Sequence, residues 1–309
     1  MRSLLSIVLA AALVGAVLGT SGCRAKPQPA KLAEQVTTAT PSPSSVPSSA
    51  TAAIPSAVQP VEPHLNQAAA SVYFLSDEKV AAASRVLKAP AVAESALKAL
   101  LAGPTPTEKD QGLSSAIPAG TSLRSVKITD GTAAVDLSKA FGSGGGSLSM
   151  TARVAQVVFT LTQFASVQRV SFHIDGEPVE ALGGEGLILV EPQTRADFED
   201  LSPAVLLERP AWGGTITIGT IAEFRGSANV FEASFNLELT DGDGRIVAKR
   251  LVTATSGTGT RGTFRARMAM PADAHSGWGS VIAWYASPKD GKRVVVAEVP
   301  VRVTSGDSP

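Results

Sequence analysis

Hydrophobic and polar positions follow four successive patterns along the chain, and each pattern predicts a different kind of structure. A mostly apolar run extends from Leu4 to Leu18. Residues 24–70 contain almost no large apolar side chains. Beyond residue 70 the apolar positions recur with mixed helical and strand spacing, and beyond residue 215 they mostly alternate with polar ones. The patterns predict an export segment, a tether and two folded domains.

The first folded region, residues 71–190, mixes predicted strands and helices, so its class is α+β. A helix is predicted from Ala91 to Leu101, after Pro90, and a second from Ser149 to Phe164. Predicted strands lie at residues 72–75, at 80–87, on both sides of the Asp130-Gly131 turn, and at 170–174.

The second folded region, residues 205–304, is predicted to be an all-β sandwich of immunoglobulin type. Its strands are predicted over 216–224, 231–240, 245–253, 264–270, 281–286 and 295–303. A charged linker at 191–204 precedes it, and residues 305–309 form a tail. Because Cys23 is the chain's one cysteine, no disulfide can brace this sandwich.

Five segments of the first region, in order and spacing, resemble the sporulation and spore germination domain called GerMN. They are Leu100–Pro104, Ile117–Thr121, Ala134–Ser138, Val158–Phe164 and Phe172–Gly176. Three segments of the second region resemble the immunoglobulin-like domain that accompanies GerMN in bacterial spore germination proteins. They are Gly226–Ala233, Ser287–Gly291 and Val299–Val301. The resemblance implies an envelope protein and supplies no catalytic residue.

The N-terminus predicts export and lipidation. The apolar run is shorter than the roughly 20 residues of a membrane span, and Ser21-Gly22-Cys23 resembles the cleavage site of a bacterial lipoprotein. Residues 1–22 are therefore predicted to be a signal peptide, and Cys23 the lipidated first residue of the mature chain. The alternative is an ordinary signal peptide with an incidental cysteine. Residues 23–70, rich in Pro, Ser, Ala and Thr, are predicted to be a disordered tether.

Charge and composition exclude several classes of function. Lys+Arg and Asp+Glu both number 27, which does not favour nucleic-acid binding. One cysteine and three histidines leave little for a zinc site. We therefore predict no metal and no cofactor.

Catalytic motifs occur only in isolation, and we predict that the protein is not an enzyme. Ser95 and Lys98 match S-x-x-K without its companion motifs. Gly257–Gly262 matches G-x-G-x-x-G but precedes a strand rather than a helix. Asp241–Gly244 resembles the start of a calcium loop but lacks its final glutamate. His173, His275 and the glutamates at 177, 180 and 185 are the remaining candidates for acid–base chemistry.

Tryptophans are the best candidates for ligand binding, since this residue type is enriched at binding hot spots. Trp212 and Trp278 neighbour glycines in predicted loops and are the candidate ligand-binding residues, although a structural role is the simpler alternative. Trp284 lies within a predicted strand and is expected in the core.

Together these features predict a non-catalytic lipoprotein on the extracytoplasmic face of the cell membrane. The leading hypothesis is a scaffold or adaptor that binds envelope proteins or associates with itself. One alternative is a cell-wall module that binds peptidoglycan glycans, and another is an accessory subunit of a membrane receptor or transporter.

Overall fold

The computed structural model describes residues 67–183 and 186–306. The predicted signal peptide, the predicted lipidation site Cys23 and nearly all of the predicted tether lie outside the described residues. None of the helices in these two ranges is long and apolar enough to cross a membrane. Described residues of both predicted domains belong to one folded unit.

The first domain combines a long β-hairpin, a four-stranded sheet and helices packed between them. The sheet has the strand order β3-β4-β5-β6, in which β4 and β5 run parallel. A parallel pair needs a crossover connection, which α3 supplies. The elements are β1 (Gln67–Ser76), β2 (Lys79–Lys88), α1 (Val92–Leu101), α2 (Pro106–Asp110), β3 (Leu123–Thr129), β4 (Thr132–Leu137), α3 (Ser147–Leu161), β5 (Arg169–Ile174), β6 (Glu177–Pro178), β7 (Ala181–Leu182) and β8 (Leu187–Ile188).

Both predicted helices are confirmed, with shifts of up to three residues at their ends. The strands predicted at 72–75 and 80–87 are also present and form a hairpin, in which β1 begins five residues earlier than predicted. Helix α2 is an addition that the apolar pattern did not predict. Thr105 and Glu108 form a reciprocal capping box at its first turn. That signal is present in the sequence as Thr-Pro-Thr-Glu.

Arg153 of α3 is the largest fully buried side chain, with 2% of its surface exposed. Its guanidinium donates hydrogen bonds to the carbonyls of Phe141, Ser143 and Gly144 at 2.6–3.0 Å. Because a buried cation needs every donor satisfied, this residue fixes the glycine-rich loop ahead of α3.

The second domain is an antiparallel sandwich with one parallel strand pair at its edge. One sheet has the order β10-β16-β15-β12-β13 and the other the order β14-β11-β9. The strands are β9 (Val205–Arg209), β10 (Thr215–Thr217), β11 (Ile221–Ala228), β12 (Ser234–Thr240), β13 (Ile246–Thr253), β14 (Gly262–Ala269), β15 (Gly277–Ala286) and β16 (Arg293–Thr304).

Two strand predictions in this domain were wrong in part. The predicted strand 216–224 is two strands, because a turn with Gly219 at φ 76° directs β10 and β11 into different sheets. The predicted strand 231–240 begins only at Ser234. Glu232 and Ala233 adopt left-handed backbone angles, and Phe231 stays 54% exposed. The apolar alternation is the same in both conformations, so it could not reveal this start.

The predicted linker contains a 3-10 helix, Arg195–Leu201, whose Phe198 and Leu201 are buried. A capping box between Thr194 and Asp197 begins it. The segment contacts α3 of the first domain and leads directly into β9.

Candidate functional site

A cluster of three side chains connects the two domains. The Tyr73 hydroxyl of β1 donates a hydrogen bond to the Glu208 carboxylate of β9. Arg195 pairs with the same carboxylate at 2.6 Å, and its guanidinium lies 5.2 Å from the centre of the Tyr73 ring. Burial, and then the charge of Glu208, raises the pKa of Tyr73, so its hydroxyl keeps its proton and acts as a donor. The cluster therefore holds the domains together.

Trp212 forms the second connection, through its backbone and its side chain. Its N–H donates to Ala82 at 2.8 Å, and its carbonyl accepts from Ser84 at 2.9 Å, so the crossing between β9 and β10 extends the edge of β2. Its indole Nε1 donates to Gln111 Oε1 at 2.8 Å. The expectation that Trp212 lies in a surface loop was wrong: the residue is 7% exposed. It is packed where the domains meet.

A groove of about 590 Å³ lies beside Trp212, between the first domain and the open side of the sandwich. Its walls come from three strands: the start of β2, the start of β9 and the first half of β16. Most wall side chains are apolar, among them Val80, Leu206, Trp212 and Val299. This is the candidate functional site, because an apolar groove between two domains is a common place for a ligand.

Charged residues of the groove are few and mostly acidic. Asp77 and Glu298 line it, are solvent-exposed and form no ion pair within the described residues. Lys79 is the lining cation, and its Nζ donates to the carbonyl of Asp200 at 2.5 Å. The groove thus combines apolar walls with two free carboxylates.

The catalytic motifs found in the sequence are not assembled into sites. Ser95 donates to the carbonyl of Lys88, while Lys98 pairs with Glu94 on the exposed face of α1. Gly262 begins β14, and the rest of the motif, residues 257–261, is a loop between β13 and β14. Its Arg261 binds Glu199 at 2.7 Å, which ties the loop to the 3-10 helix.

Asp241 organises a tight turn rather than a calcium loop. Its carboxylate accepts hydrogen bonds from the N–H groups of Asp243, Arg245 and His275 at 3.0–3.3 Å. Burial raises the pKa of Asp241, but these donors and the Arg245 side chain outweigh burial and hold the pKa below its ordinary value. With its oxygens occupied by donors, Asp241 is unsuited to bind a cation. Among residues 67–183 and 186–306, no group of three His, Cys, Asp or Glu side chains could hold a metal.

The two candidate histidines lie in different domains, and the acidic loop begins at β6, which pairs with β5 at His173 and Ile174. His275 in the second domain contacts Asp243 at 2.6 Å on the surface, whereas His173 lies on β5 opposite Asp136. Glu177 and Glu180 are exposed beyond β5, and Glu185 lies outside the described residues.

Two tryptophans lie on the outer face of the five-stranded sheet, both on β15, so the prediction that Trp278 lies in a loop was wrong. Trp278 is 36% exposed, and the guanidinium of Arg302 lies 4.0 Å from the centre of its ring. Trp284 is half-buried on this outer face, so the prediction that it belongs to the core was wrong. The cationic groups of Lys249 and Arg293 lie 4.6 and 4.8 Å from its ring centre, above the buried Glu238. These cations cover the ring that a sugar would stack on.

Two family models match the chain, in the order that the sequence predicted. The Germane family, described as sporulation and spore germination, matches residues 71–180. The Gmad2 family, described as the immunoglobulin-like domain of bacterial spore germination, matches residues 204–292. The chain therefore carries a GerMN domain followed by an immunoglobulin-like domain of the spore germination type. Both families are defined by sporulation and germination rather than by an enzymatic activity.

Solved structures with similarity to this chain include two from the sporulation protein GerM of Bacillus subtilis. Its first GerMN domain is 26% identical, with a TM-score of 0.35 over 42% of this chain and 99% of that domain. Its tandem GerMN domains are 18% identical, with a TM-score of 0.37 over 79% of this chain and 62% of the tandem. A comparison with curated protein sequences returns no match.

The residues that build the groove had no signal in the sequence, apart from Trp212. Gln111, which lines the groove, and Glu208, which joins the domains, are ordinary polar residues that act through long-range contacts. In the sequence, 101 positions separate Gln111 from Trp212, and 135 separate Tyr73 from Glu208. Sequence patterns report local spacing, so they could not predict contacts between residues this far apart in the sequence.

Proposed function

We propose that this protein is a non-catalytic, membrane-anchored envelope protein that binds other proteins in assemblies related to sporulation or germination. The apolar groove at the junction of the GerMN and immunoglobulin-like domains carries the proposal. Hydrogen bonds and ion pairs fix both domains around it, so a partner meets a preformed surface at little ordering cost. The predicted lipidation of Cys23 supplies the anchor on the extracytoplasmic face of the membrane.

A photo-crosslinking amino acid at Val295, which lines the groove and is half exposed, tests protein binding in intact cells. We expect a discrete cross-linked protein from this position. The same probe at Lys127, an exposed residue on β3 of the first domain, is the matched control and should yield none. Equal products from both positions would contradict a protein-binding groove.

Glycan binding is the second candidate, and the exposed ring of Trp278 is the observation that favours it. Co-sedimentation of the full-length protein with purified sacculi, over a series of salt concentrations, distinguishes the two functions. Salt-resistant binding that Trp278→Ala abolishes, and Phe231→Ala does not, would replace the protein adaptor with a wall-binding module. The adaptor proposal expects no salt-resistant sedimentation.

A further inference from the structure

We propose that the groove binds a short extended segment of a partner protein, which adds a strand between β9 and β16 and carries a basic side chain. This inference rests on the proposed protein-binding function and specifies its mode.

Strand β16 has an open edge along the groove. Between Arg293 and Pro300 it pairs with β15 alone among the described strands, and β10 joins it only at residues 302–304. The Pro300 carbonyl accepts from Gly213, and the Arg302 N–H donates to Gly214, so even-numbered residues direct their amide groups away from β15. By the alternation of a strand, the N–H and C=O of Glu298 point the same way, into the groove.

Strand β9 presents a second open edge to the same groove. The backbone groups of Ala204 and Leu206 face β11. The Ala204 carbonyl accepts a hydrogen bond from the N–H of Asn229, and the Leu206 carbonyl lies against Gly226. Alternation therefore turns the amide groups of Val205 and Leu207 toward the groove, where no other described strand forms a ladder with them. A segment lying in the groove meets backbone donors and acceptors on both sides.

The groove also limits what can enter. A bulge at Val296 and the ring of Pro300 bound the open edge of β16, which leaves one stretch around Glu298 for pairing. Bulges and prolines protect sheet edges against unrestricted pairing. A short extended peptide fits these limits, whereas a helix offers no free backbone groups to an edge.

The charges that line the groove favour a basic peptide. Asp77 and Glu298 form no ion pair with any residue of the described ranges, while the ammonium of Lys79 already contacts a carbonyl. A lysine or arginine on the incoming strand would neutralise these carboxylates, and an acidic strand would be repelled.

The probe for this test is a fluorescein-labelled peptide, Lys-Thr-Val-Thr-Val-Thr-Val-Thr-Lys, titrated into the full-length protein in detergent and followed by anisotropy. Two matched probes replace the lysines with glutamates or methylate alternate backbone nitrogens. We expect saturable binding of the basic peptide alone. Equal binding of the methylated peptide would overturn strand addition, as would the absence of saturable binding to any probe.

Variants of the protein separate the backbone contribution from the charge. Glu298→Pro removes the inward N–H, and Pro300 shows that this side of β16 tolerates proline. We expect at least tenfold weaker binding. Glu298→Gln keeps the N–H and should weaken binding only about threefold, the range of an exposed ion pair. Leu251→Pro, on the opposite edge strand of the same sheet, is the control and should bind like the unaltered chain, provided that its melting temperature is also preserved.

Two further results would contradict the proposal that a partner segment adds a strand in the groove. Concentration-dependent dimerisation that Glu298→Pro abolishes would overturn the partner segment in favour of a second copy of this chain. If the peptides fail while Val295 still cross-links to a discrete protein in cells, the strand mode is wrong and the protein-binding function stands.

Discussion

At the scale of single residues, charges of the first domain are buried only where donors or carboxylates surround them. Glu108 is 8% exposed, and its carboxylate accepts two hydrogen bonds from Arg85 at 2.6 and 2.7 Å. The backbone N–H of Thr105 donates a third at 2.8 Å. Burial raises the pKa of Glu108, but these donors outweigh burial and hold the pKa below its ordinary value of 4.5. The ionised form therefore stabilises the fold.

Glu108→Gln is expected to lower the free energy of unfolding by about 2 kcal/mol at neutral pH, the scale of a hydrogen bond to a charged group. Because the pKa is lower in the folded state, the stabilisation is complete above 4.5 and is lost as the pH falls through the folded pKa. Urea unfolding at several pH values should show the two proteins converging in acid. Glu94→Gln, which alters an exposed ion pair, is the control. A difference independent of pH would contradict this account.

At the scale of elements, periodicity predicted most of the fold because its signals are local. Helix α3 and strand β5 lie where apolar spacing placed them, and both domain types occur in the predicted order. The errors occur where the backbone conformation, rather than the burial of side chains, determines where a strand begins or ends. The turn at Gly219 and the left-handed residues Glu232 and Ala233 leave the apolar alternation unchanged. The groove could not be predicted from the sequence, because the strand edges that form it are far apart in the sequence.

Gly226 on β11 controls where β9 can lie. A Cβ added there would sit 2.0 Å from the carbonyl oxygen of Leu206 and 2.9 Å from the ring of Phe264. The oxygen belongs to the paired backbone, so the strand itself must move. The close approach, at a register shift between the strands, explains why this position needs glycine.

Gly226→Ala should therefore lower the free energy of unfolding by about 2 kcal/mol or more, as overpacking does in a core. It should also weaken peptide binding, because β9 forms one wall of the groove. Chemical denaturation and peptide anisotropy provide the two measurements. Gly306→Ala, whose added Cβ would meet one methyl group at 3.6 Å, is the control and should change neither. Unaltered stability of the Gly226 variant would show that β9 adjusts freely.

At the scale of the whole molecule, the two domains share contacts that neither makes alone. Tyr73, Glu208 and Arg195 bond across the junction, and Trp212 pairs with the edge of β2. Removing one partner would leave buried polar groups without their donors or acceptors. Separate unfolding of either domain would incur this cost.

We therefore expect the two domains to unfold together, in one calorimetric transition whose van't Hoff and calorimetric enthalpies agree. Arg195→Met, which leaves Glu208 and the Tyr73 hydroxyl without their cation, should lower the transition temperature of both domains in parallel. Lys127→Met, on the exposed surface of β3, should leave the temperature unchanged. Two resolved transitions in the unaltered protein would show that the junction does not couple the domains.

The β1–β2 hairpin has a mechanical consequence. Strand β1 begins at Gln67, where the chain arrives from its N-terminal part, and all ten of its residues pair in register with β2. The groove is lined by Ser76 and Asp77, at the opposite end of the strand. Tension between the N-terminal part of the chain and a partner in the groove runs along this ladder, and loads its hydrogen bonds in shear. Bonds loaded in shear must yield together rather than one after another, so the hairpin would resist this tension as a unit.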